Sequence, residues 1–536
     1  MNSRAQTDGP EHDASAQVAA AVGRSAAGMG AVTVVSRAIG FGRVLFVAAV
    51  LGASGLGDTF TAANSFSNVV FELVAAGALS AVLVPTFVRL VERGDEAEAR
   101  RLAGGLAWYA TWMLGVVAVV GVIAAPLLAR LLTAGVADDA RDARALTTTL
   151  LRWFVPQIVL YGLGALATAA LYARRRFAIT AAAPIANTIV MVGALALFRG
   201  VAGSEVGFAL SAGERVLLGV AGTGGVIGFV GVLLVAAARA GFPIVPRRVR
   251  RDDAAFRDLV GHGARGVALQ SIVGLLLGAA ILFGAGVTGG VVAYQAAFVF
   301  FLAPYAILAQ PLHTAALPEM SVLAATNRRD DLGDRLRWTL STISHLVLPA
   351  TAVSIALAHP GFALVRVGAL DERGTTLVAA AFVGLAAGLL PYSAFLLLAR
   401  ASYALNDSRT PAVVAVVAGG VGVCLMAAGA IAADGSARVA WLGAGHSGAY
   451  LVAAVALGWV LSRRVDGPLV GPWLLIPAAA AALAGAIAFA IGHGADARSR
   501  PIALVLVAIA AAAGLATYVA VMRVAGNPIR PREPGA

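Results

Sequence analysis

Long apolar stretches recur along the whole chain, separated by short polar segments. About fourteen of them hold roughly 20 or more mostly hydrophobic residues, enough for a helix to cross about 30 Å of hydrocarbon. Helices are expected because a chain in lipid must satisfy its own backbone hydrogen bonds. The predicted spans are 27–52, 59–88, 103–129, 149–173, 178–198, 216–238, 259–286, 288–318, 338–359, 375–399, 411–433, 438–462, 470–492 and 502–522. This pattern predicts an all-α, polytopic membrane protein.

Composition and charge agree with this prediction and orient the chain. Hydrophobic residues make up 60% of the sequence and charged residues 13%. The net charge of +12 is carried by arginine, since the chain has no lysine. Arginines are concentrated in alternate connections, around 93–101, 174–176, 247–251, 328–337 and 463–464. Because basic loops stay on the cytoplasmic side, both termini are predicted to be cytoplasmic. The polar N-terminus is not typical of a cleavable signal peptide.

A repeated pattern divides the chain into two halves. Tyr172 and Tyr403 each belong to a Tyr-Ala pair before a polar turn and a small-residue helix, and they are 231 positions apart. The same offset places span one on span seven, although chance similarity among Ala/Val/Leu-rich helices is the simpler alternative. Two six-helix lobes plus two C-terminal helices are expected. The predicted divisions are a disordered tail (1–26), an N-lobe (27–238), a basic linker (239–257), a C-lobe (258–462), two C-terminal helices that pad the bundle or form an apolar groove (463–523) and a second cytoplasmic tail (524–536).

A charge within a membrane span is costly, and three arginines in predicted spans are candidate binding residues. Arg37 and Arg43 are in the first span, and Arg265 is early in the seventh. A charged side chain at the bilayer centre costs about 2.5–3.5 kcal/mol on insertion scales, so it normally faces a cavity or a partner. Together the three could form an anion site between the lobes. The alternative is that they extend to the membrane interface, most readily for Arg265.

Other polar residues within the spans are candidates for cavity lining or ion coupling. Glu72 could pair with a buried arginine or relay a cation, and His313 could carry a proton or serve as a structural hydrogen-bonding group. Asp58 could line the cavity or cap a helix. Gln295 is a candidate for polar lining or an interhelical bond. Pro304 and Pro318 flank His313 and predict a bent helix.

Signatures of enzymes and nucleotide-driven pumps are missing from the sequence. It has no paired-histidine helix motif, no cysteine cluster for a metal and no GxxxxGK[ST] loop. The single cysteine, Cys424, is expected to be a buried apolar thiol. We therefore predict a transporter rather than an enzyme, with no cofactor, no nucleotide and no nucleic-acid partner, driven by the membrane potential or an ion gradient.

An ordered set of segments resembles a known transporter family. The segments are SRAIGFGR (36–43), LGASGLGDTFTAAN (51–64), GALSAVLVPTFVRL (77–90), 154–187, 293–321 and ARASYALNDSRTP (399–411). They are similar to the MurJ (MviN-type) lipid II flippases of the multidrug/oligosaccharidyl-lipid/polysaccharide exporter superfamily. The resemblance implies a bundle of 14 helices, with two lobes around a V-shaped cavity. It also implies a bacterial plasma-membrane location and transport of undecaprenyl-pyrophosphate-linked peptidoglycan precursor to the outer leaflet.

The resemblance assigns roles and also exposes differences. It places Arg37 and Arg43 on the family's first-helix arginines and Asp58 on its acid at the start of the second helix. Three charged positions of the family pattern differ in this sequence. The family's acid after the second arginine is Val44 here, and its second-helix arginine pair is Phe71 and Glu72. Its eighth-helix arginine falls near Val299. The implied cavity is therefore less cationic than in the family pattern.

The preferred interpretation is an alternating-access flippase for lipid II, with the pyrophosphate on Arg37, Arg43 and Arg265. Its partners would be a polyprenyl-pyrophosphate-linked saccharide lipid and the membrane, with cell-wall synthesis proteins as further candidates. Three alternatives stay open: a flippase for another polyprenyl-linked glycan, a cation-coupled drug exporter, and a non-transporting cell-wall scaffold.

Overall fold

A computed structural model shows a helical protein. It describes residues 35–36, 38–73, 77–133, 140–203, 207–248, 272–465 and 467–526, and no strand occurs in these ranges. The first half contains α1 (Ala38–Leu51), α2 (Gly55–Phe71), α3 (Gly77–Glu92), α4 (Glu96–Ile123), α5 (Ala125–Leu132), α6 (Ala140–Phe154), α7 (Gln157–Ala173), α8 (Phe177–Ala202), α9 (Ala212–Gly219) and α10 (Gly225–Arg239).

The second half has the same kind of architecture and a C-terminal extension. Its helices are α11 (Ile272–Gly284), α12 (Gly290–Pro304), α13 (Gln310–Ala325), α14 (Arg329–Ala356), α15 (Ala358–Leu364), α16 (Glu372–Ala386), α17 (Leu389–Ala404), α18 (Arg409–Ala432), α19 (Gly435–Ser462), α20 (Leu475–Gly492) and α21 (Arg500–Val524). Short π-helical segments, Val220–Gly224 and Tyr305–Ala309, join α9 to α10 and α12 to α13. The second of these follows Pro304 directly, where the sequence predicted a bent helix.

The helices match the predicted spans in position and type. Within the described residues, 10 helices are long and apolar enough to cross a membrane, or 11 when α16 and α17, bent by 46°, count as one span. Two shorter apolar helices, α1 and α11, lie where spans one and seven were predicted. The pair α2 and α3 occupies the second predicted span. The chain is thus an all-helical, multi-pass membrane protein.

The turns between spans lie alternately at two ends of the bundle. The end that carries most of the arginines, called the basic face below, has turns at 93–95, 174–176, 240–248, 326–328, 405–408 and 463–465. The other end, called the opposite face, has turns at 52–54, 285–289, 365–371, 433–434 and 493–499.

The two helix ends of the predicted internal repeat have the same turn hydrogen bonds. After α7, three turn hydrogen bonds run from 174 to 170, from 175 to 172 and from 176 to 171. After α17, the bonds from 405 to 401, from 406 to 403 and from 407 to 402 repeat this pattern at an offset of 231. Arg175 and Asn406, at equivalent positions, both have a left-handed φ, 56° and 58°. The same three bonds and a left-handed residue also end α3, α10 and α13, at Gly94, Gly241 and Asn327, so this arrangement is a common helix ending and the repeat stays a prediction.

Two large hydrophobic cores correspond to the two halves. One contains residues between Val50 and Phe242, and the other is built almost wholly from residues between Ile272 and Leu469. Ala62 and Val69 of α2 belong to the second core, so this helix bridges the halves. Helices α20 and α21 pack against each other and along α14, outside both cores. Cys424 is exposed on α18, so the prediction that it is buried was wrong.

Candidate functional site

The contact between α2 and α12 joins the two halves near the opposite face. The Asp58 carboxylate accepts hydrogen bonds from the backbone N–H groups of Gly289, at 2.6 Å, and Val292, at 3.0 Å. These donors belong to the first turn of α12, whose N–H groups have no intrahelical partner. Asp58 is only 9% exposed. Both carboxylate oxygens of Asp58 therefore accept hydrogen bonds that cap a helix of the other half.

Ser54, and not Asp58, caps α2 itself. The Ser54 hydroxyl accepts a hydrogen bond from Gly57 N–H at 3.2 Å. Gly289 has a φ of 86°, and a side chain there would meet the backbone of Ala53. The close approach of the two halves at this end thus requires glycine at 289. Among the predicted roles of Asp58, helix capping is the one that its contacts match, although the capped helix lies 231 residues away.

Further contacts extend this junction toward the membrane centre. Ala369 N–H donates to the Ala49 carbonyl at 2.7 Å, at the end of α1. The Gln295 side-chain amide donates to the Ser65 hydroxyl at 3.3 Å, two turns deeper along α2. Gln295 therefore lies at the contact between the halves.

Helix α1 lies between the halves and presents a different face to each. Phe41 packs against Phe300 of α12, with ring centroids 4.1 Å apart, and Val44 packs on the C-terminal core. Phe46 and Val47 pack on the N-terminal core. Residues three or four positions apart share a helix face, so Arg43 belongs to the face that carries Val47. The sequence of α1 thus directs Arg43 toward the N-terminal half.

Arg43 is half-buried at the middle of α1. It lies eight residues before Leu51, about 12 Å from the end of the helix at 1.5 Å per residue. Tyr161 of α7 is within electrostatic range of its guanidinium. In the part of the chain that the structure describes, Arg43 makes no ion pair and no side-chain hydrogen bond. A guanidinium at this depth is a strong site for an anion with several oxygen acceptors.

The surroundings of Arg43 are aromatic and apolar. Tyr161 packs against Phe71, with ring centroids 5.6 Å apart. Glu72 follows at the end of α2 and lies close to Gly274 of α11. A Cβ added to Gly274 would be 3.6 Å from the Cβ of Glu72. Phe71 and Glu72 are the positions at which the family pattern has arginines. Here they provide one aromatic wall and one carboxylate at the boundary between the halves.

Toward the basic face, the described helices α3 and α13 pack mainly within their own halves. There, α3 packs against α4 and α7 of its own half, and α13 packs against α14 and α17 of the other. Hydrogen bonds at Asp58, Ala49 and Ser65 join the halves nearer the opposite face. This arrangement suits a cavity between the halves that is closed at one end.

His313 lies inside the C-terminal half. It is fully buried in α13, with the Tyr305 hydroxyl 3.5 Å from its Nδ1. Ser393 and Arg400 of α17 are close to the ring. His313 is thus part of a helix–helix contact within one half, some distance along the chain from the α2–α12 junction.

The structure also reveals a buried polar pair that the sequence did not single out. The Tyr294 hydroxyl lies 2.7 Å from Nδ1 of His446, and both residues are at most 2% exposed. Phe298 and Tyr450 surround the imidazole, with ring centroids 5.3 and 5.2 Å away. The pair joins α12 to α19. The isolated His446 in span twelve was the available signal, but its partner is 152 residues away.

Arg37 and Arg265, the other two predicted pyrophosphate ligands, lie outside the described residues. Of the three arginines, only Arg43 is therefore placed by the structure. Val44 is half-buried and packs on the C-terminal core, and Val299, near the position implied for the family's eighth-helix arginine, is also half-buried.

Comparison with known proteins identifies the family. The model of the lipid II flippase MurJ family matches residues 47–519. The chain belongs to the MurJ family. This membership agrees with the prediction of a transporter rather than an enzyme. A probable lipid II flippase MurJ from Rhizobium tropici is 28% identical over 393 residues, which cover 72% of this chain and 71% of that protein. The lipid II flippase MurJ of Burkholderia cenocepacia is 26% identical over 392 residues, 72% of this chain and 73% of its own length.

Solved structures show the same fold. A lipid II flippase MurJ in an inward closed conformation superposes with a TM-score of 0.73 at 16% identity, covering 93% of this chain and 99% of the other. An inward-facing multidrug resistance transporter of the MATE family, in the MOP superfamily, gives a TM-score of 0.58 at 13% identity, covering 80% and 94%. This MurJ-family chain therefore has the MOP-superfamily architecture expected from its sequence.

Proposed function

We propose that this chain moves lipid II, the undecaprenyl-pyrophosphate-linked peptidoglycan precursor, from the inner to the outer leaflet of a bacterial plasma membrane. The supporting observation is Arg43, a half-buried guanidinium between the halves that has no carboxylate partner in the described part of the chain. A pyrophosphate offers several charged oxygens, which suit the planar donors of arginine. Family membership gives the same substrate class. Arg37 and Arg265 are proposed to complete this site.

The proposed cycle alternates which end of the cavity is open. In the structure the junction at the opposite face is joined by Asp58, Ala49 and Ser65. Opening toward that face requires these bonds to break while the halves approach each other at the basic face. The basic face is proposed to be cytoplasmic, with both termini on that side. The groove beside α20 and α21 is proposed to hold the prenyl tail. The division into an N-lobe, a C-lobe and two C-terminal helices, predicted from the sequence, is part of this proposal.

The driving force is proposed to be the membrane potential or an ion gradient. Moving one elementary charge across 100 mV is worth about 2.3 kcal/mol. Glu72, at the boundary between the halves, and His313, within the C-terminal half, are the proposed coupling residues. Cell-wall synthesis proteins are proposed as partners that receive the product.

Export in living cells tests the substrate. Cells depleted of their own lipid II flippase are supplied with this chain, and lipid II reaching the outer leaflet is measured by its accessibility to an externally added enzyme. Restored export supports the proposal. If export is not restored although the chain is present in the membrane, lipid II is the wrong cargo. Proteoliposomes containing defined polyprenyl-linked glycans then test the alternative cargo, and drug sensitivity tests the exporter alternative.

A further inference from the structure

A groove lies between α8 and α10 at the basic face, away from the junction of the halves. Its volume is ≈ 520 Å³. The lining residues used below are Arg176, Ile179, Gly231, Val232, Val235 and Arg239. Arg43 is not among the residues that line it. The groove therefore belongs to a different part of the molecule from the proposed transport site.

The floor of the groove is apolar and concave. Val232 and Val235 are 40% and 50% exposed, on the surface of a membrane-spanning helix. A Cβ placed on Gly231 would meet nothing within 4 Å, so the missing side chain leaves open space. Ile179 of α8 forms the facing wall. An apolar recess of this kind on a membrane helix suits an acyl chain.

The mouth of the groove is cationic. Of the three arginines in the turn before α8, Arg174 pairs with Glu96 at 2.7 Å, and Arg175 lies 3.9 Å from Glu92. Arg176 has no such acid, and neither does Arg239 across the groove; both make no ion pair or side-chain hydrogen bond with any residue that the structure describes. Two exposed positive charges are thus left at one end of the recess.

Simpler reasons exist for each arginine alone. Arg239 is in the last turn of α10, where a cation complements the helix dipole, and arginines at this face help to set topology. Neither reason places both charges at the mouth of one apolar groove. The first turn of α8, which begins at Phe177, adds unpaired N–H groups there. Tyr172 and Phe177 are exposed, with ring centroids 5.4 Å apart, and exposed aromatic rings are typical of the headgroup level.

We propose that this groove binds an anionic phospholipid from the adjoining leaflet. Its phosphate lies between Arg176 and Arg239, and one acyl chain runs over Val232 and Val235. Charge complementarity at the mouth and the apolar floor together favour a phospholipid over a soluble phosphate compound. The site is independent of Arg43 and of which lipid-linked glycan the chain transports.

Native mass spectrometry of the detergent-solubilised full chain tests the site, with phosphatidylglycerol and phosphatidylcholine as probes. The wild-type protein is expected to retain phosphatidylglycerol preferentially. The Arg176→Gln/Arg239→Gln variant is expected to bind phosphatidylglycerol at least about tenfold more weakly, since each arginine near a lipid surface contributes a few-fold in affinity. The Arg93→Gln/Arg523→Gln variant, which removes two exposed arginines elsewhere on the same face, is the matched control and is expected to behave like wild type.

A second variant addresses the groove without removing charge. Gly231→Leu is expected to fill the open space and reduce phosphatidylglycerol binding, while the gain in helix propensity protects folding. The proposal is overturned if the two double variants lose phosphatidylglycerol equally, or if Gly231→Leu has no effect. It is also overturned if undecaprenyl pyrophosphate, and not phosphatidylglycerol, depends on Arg176 and Arg239. Arg43→Ala is expected to leave phosphatidylglycerol binding unchanged, so this result and that of the transport test are separate.

Discussion

Asp58 and Arg43 are two charges in the same inter-lobe region, and their surroundings differ in kind. Both oxygens of Asp58 accept backbone hydrogen bonds from the first turn of α12. Arg43 has only the aromatic neighbour Tyr161 and no carboxylate among the described residues. A charge whose hydrogen bonds are complete is explained by structure, whereas leaving a buried charge unpaired is costly. The comparison therefore assigns Asp58 to joining the halves and Arg43 to holding an anion.

The largest expected effect comes from preventing the junction at the opposite face from opening. Ala49 and Ala369 are joined by a backbone hydrogen bond of 2.7 Å, so cysteines at these positions are close enough for a disulfide. In a Cys424→Ala background, the Ala49→Cys/Ala369→Cys protein is expected to lose lipid II transport completely on oxidation and to regain it with reductant. Transport assays on proteoliposomes measure this.

The two single-cysteine proteins serve as controls, and both are expected to transport normally under oxidising conditions. Full transport by the oxidised double variant, with the disulfide verified by mass spectrometry, would show that this junction does not need to open.

A smaller effect is expected from weakening the junction. Asp58→Asn keeps one acceptor for two backbone donors, and Asp58→Ala keeps none, so one or two buried N–H groups lose their partner at a cost of about 1–3 kcal/mol each. We expect thermal stability in detergent to fall in the order wild type, Asp58→Asn, Asp58→Ala. Labelling of Ala49→Cys by an impermeant maleimide from the opposite face should rise in the same order. Unchanged labelling in Asp58→Ala would separate this carboxylate from closure.

The smallest effect concerns a charge outside the spans. Burial raises the pKa of Asp407, but hydrogen bonds from Thr410 and Arg464 outweigh burial and hold the pKa at about 2. Because this value is below that of the unfolded chain, about 4, the stabilisation is present above about pH 4 and is lost as pH falls through 2. Asp407→Asn should lower stability by about 1 kcal/mol at pH 7.

Thermal unfolding of wild type and Asp407→Asn across pH measures this contribution. The difference between the two proteins should shrink between about pH 4 and pH 2. A difference that stays constant over this range would assign the effect to packing rather than to the charge.

The sequence predicted the fold better than it predicted contacts within the site. Hydropathy alone placed the helices, because it depends on local composition, which is readable along the chain. The repeat indicated by the Tyr172/Tyr403 offset stays a prediction, since the turn hydrogen bonds at 174–176 and 405–407 also occur at 93–95, 240–242 and 326–328. A π-helical segment, Tyr305–Ala309, directly follows Pro304, because proline disrupts a helix locally, whereas the bend itself stays a prediction.

Contacts between distant helices were not predictable in the same way. Asp58 was a candidate cap, but nothing in the sequence shows that it caps α12, and the Tyr294–His446 pair was missed. Both depend on how helices rotate about their axes, which hydropathy does not fix. Cys424 was predicted to be buried because its neighbours are apolar, but in a membrane an apolar side chain is equally suited to the lipid face.

Lipid II transport by purified Arg43 variants tests the central claim most directly. In proteoliposomes, Arg43→Ala is expected to reduce the rate of lipid II transport at least about tenfold, since a hydrogen bond to a charged group contributes about 1.5–3 kcal/mol. Arg43→Lys should retain part of the rate, and Arg93→Ala, which removes an exposed arginine at the basic face, should retain all of it. A normally folded Arg43→Ala protein that transports lipid II at the wild-type rate would contradict the account.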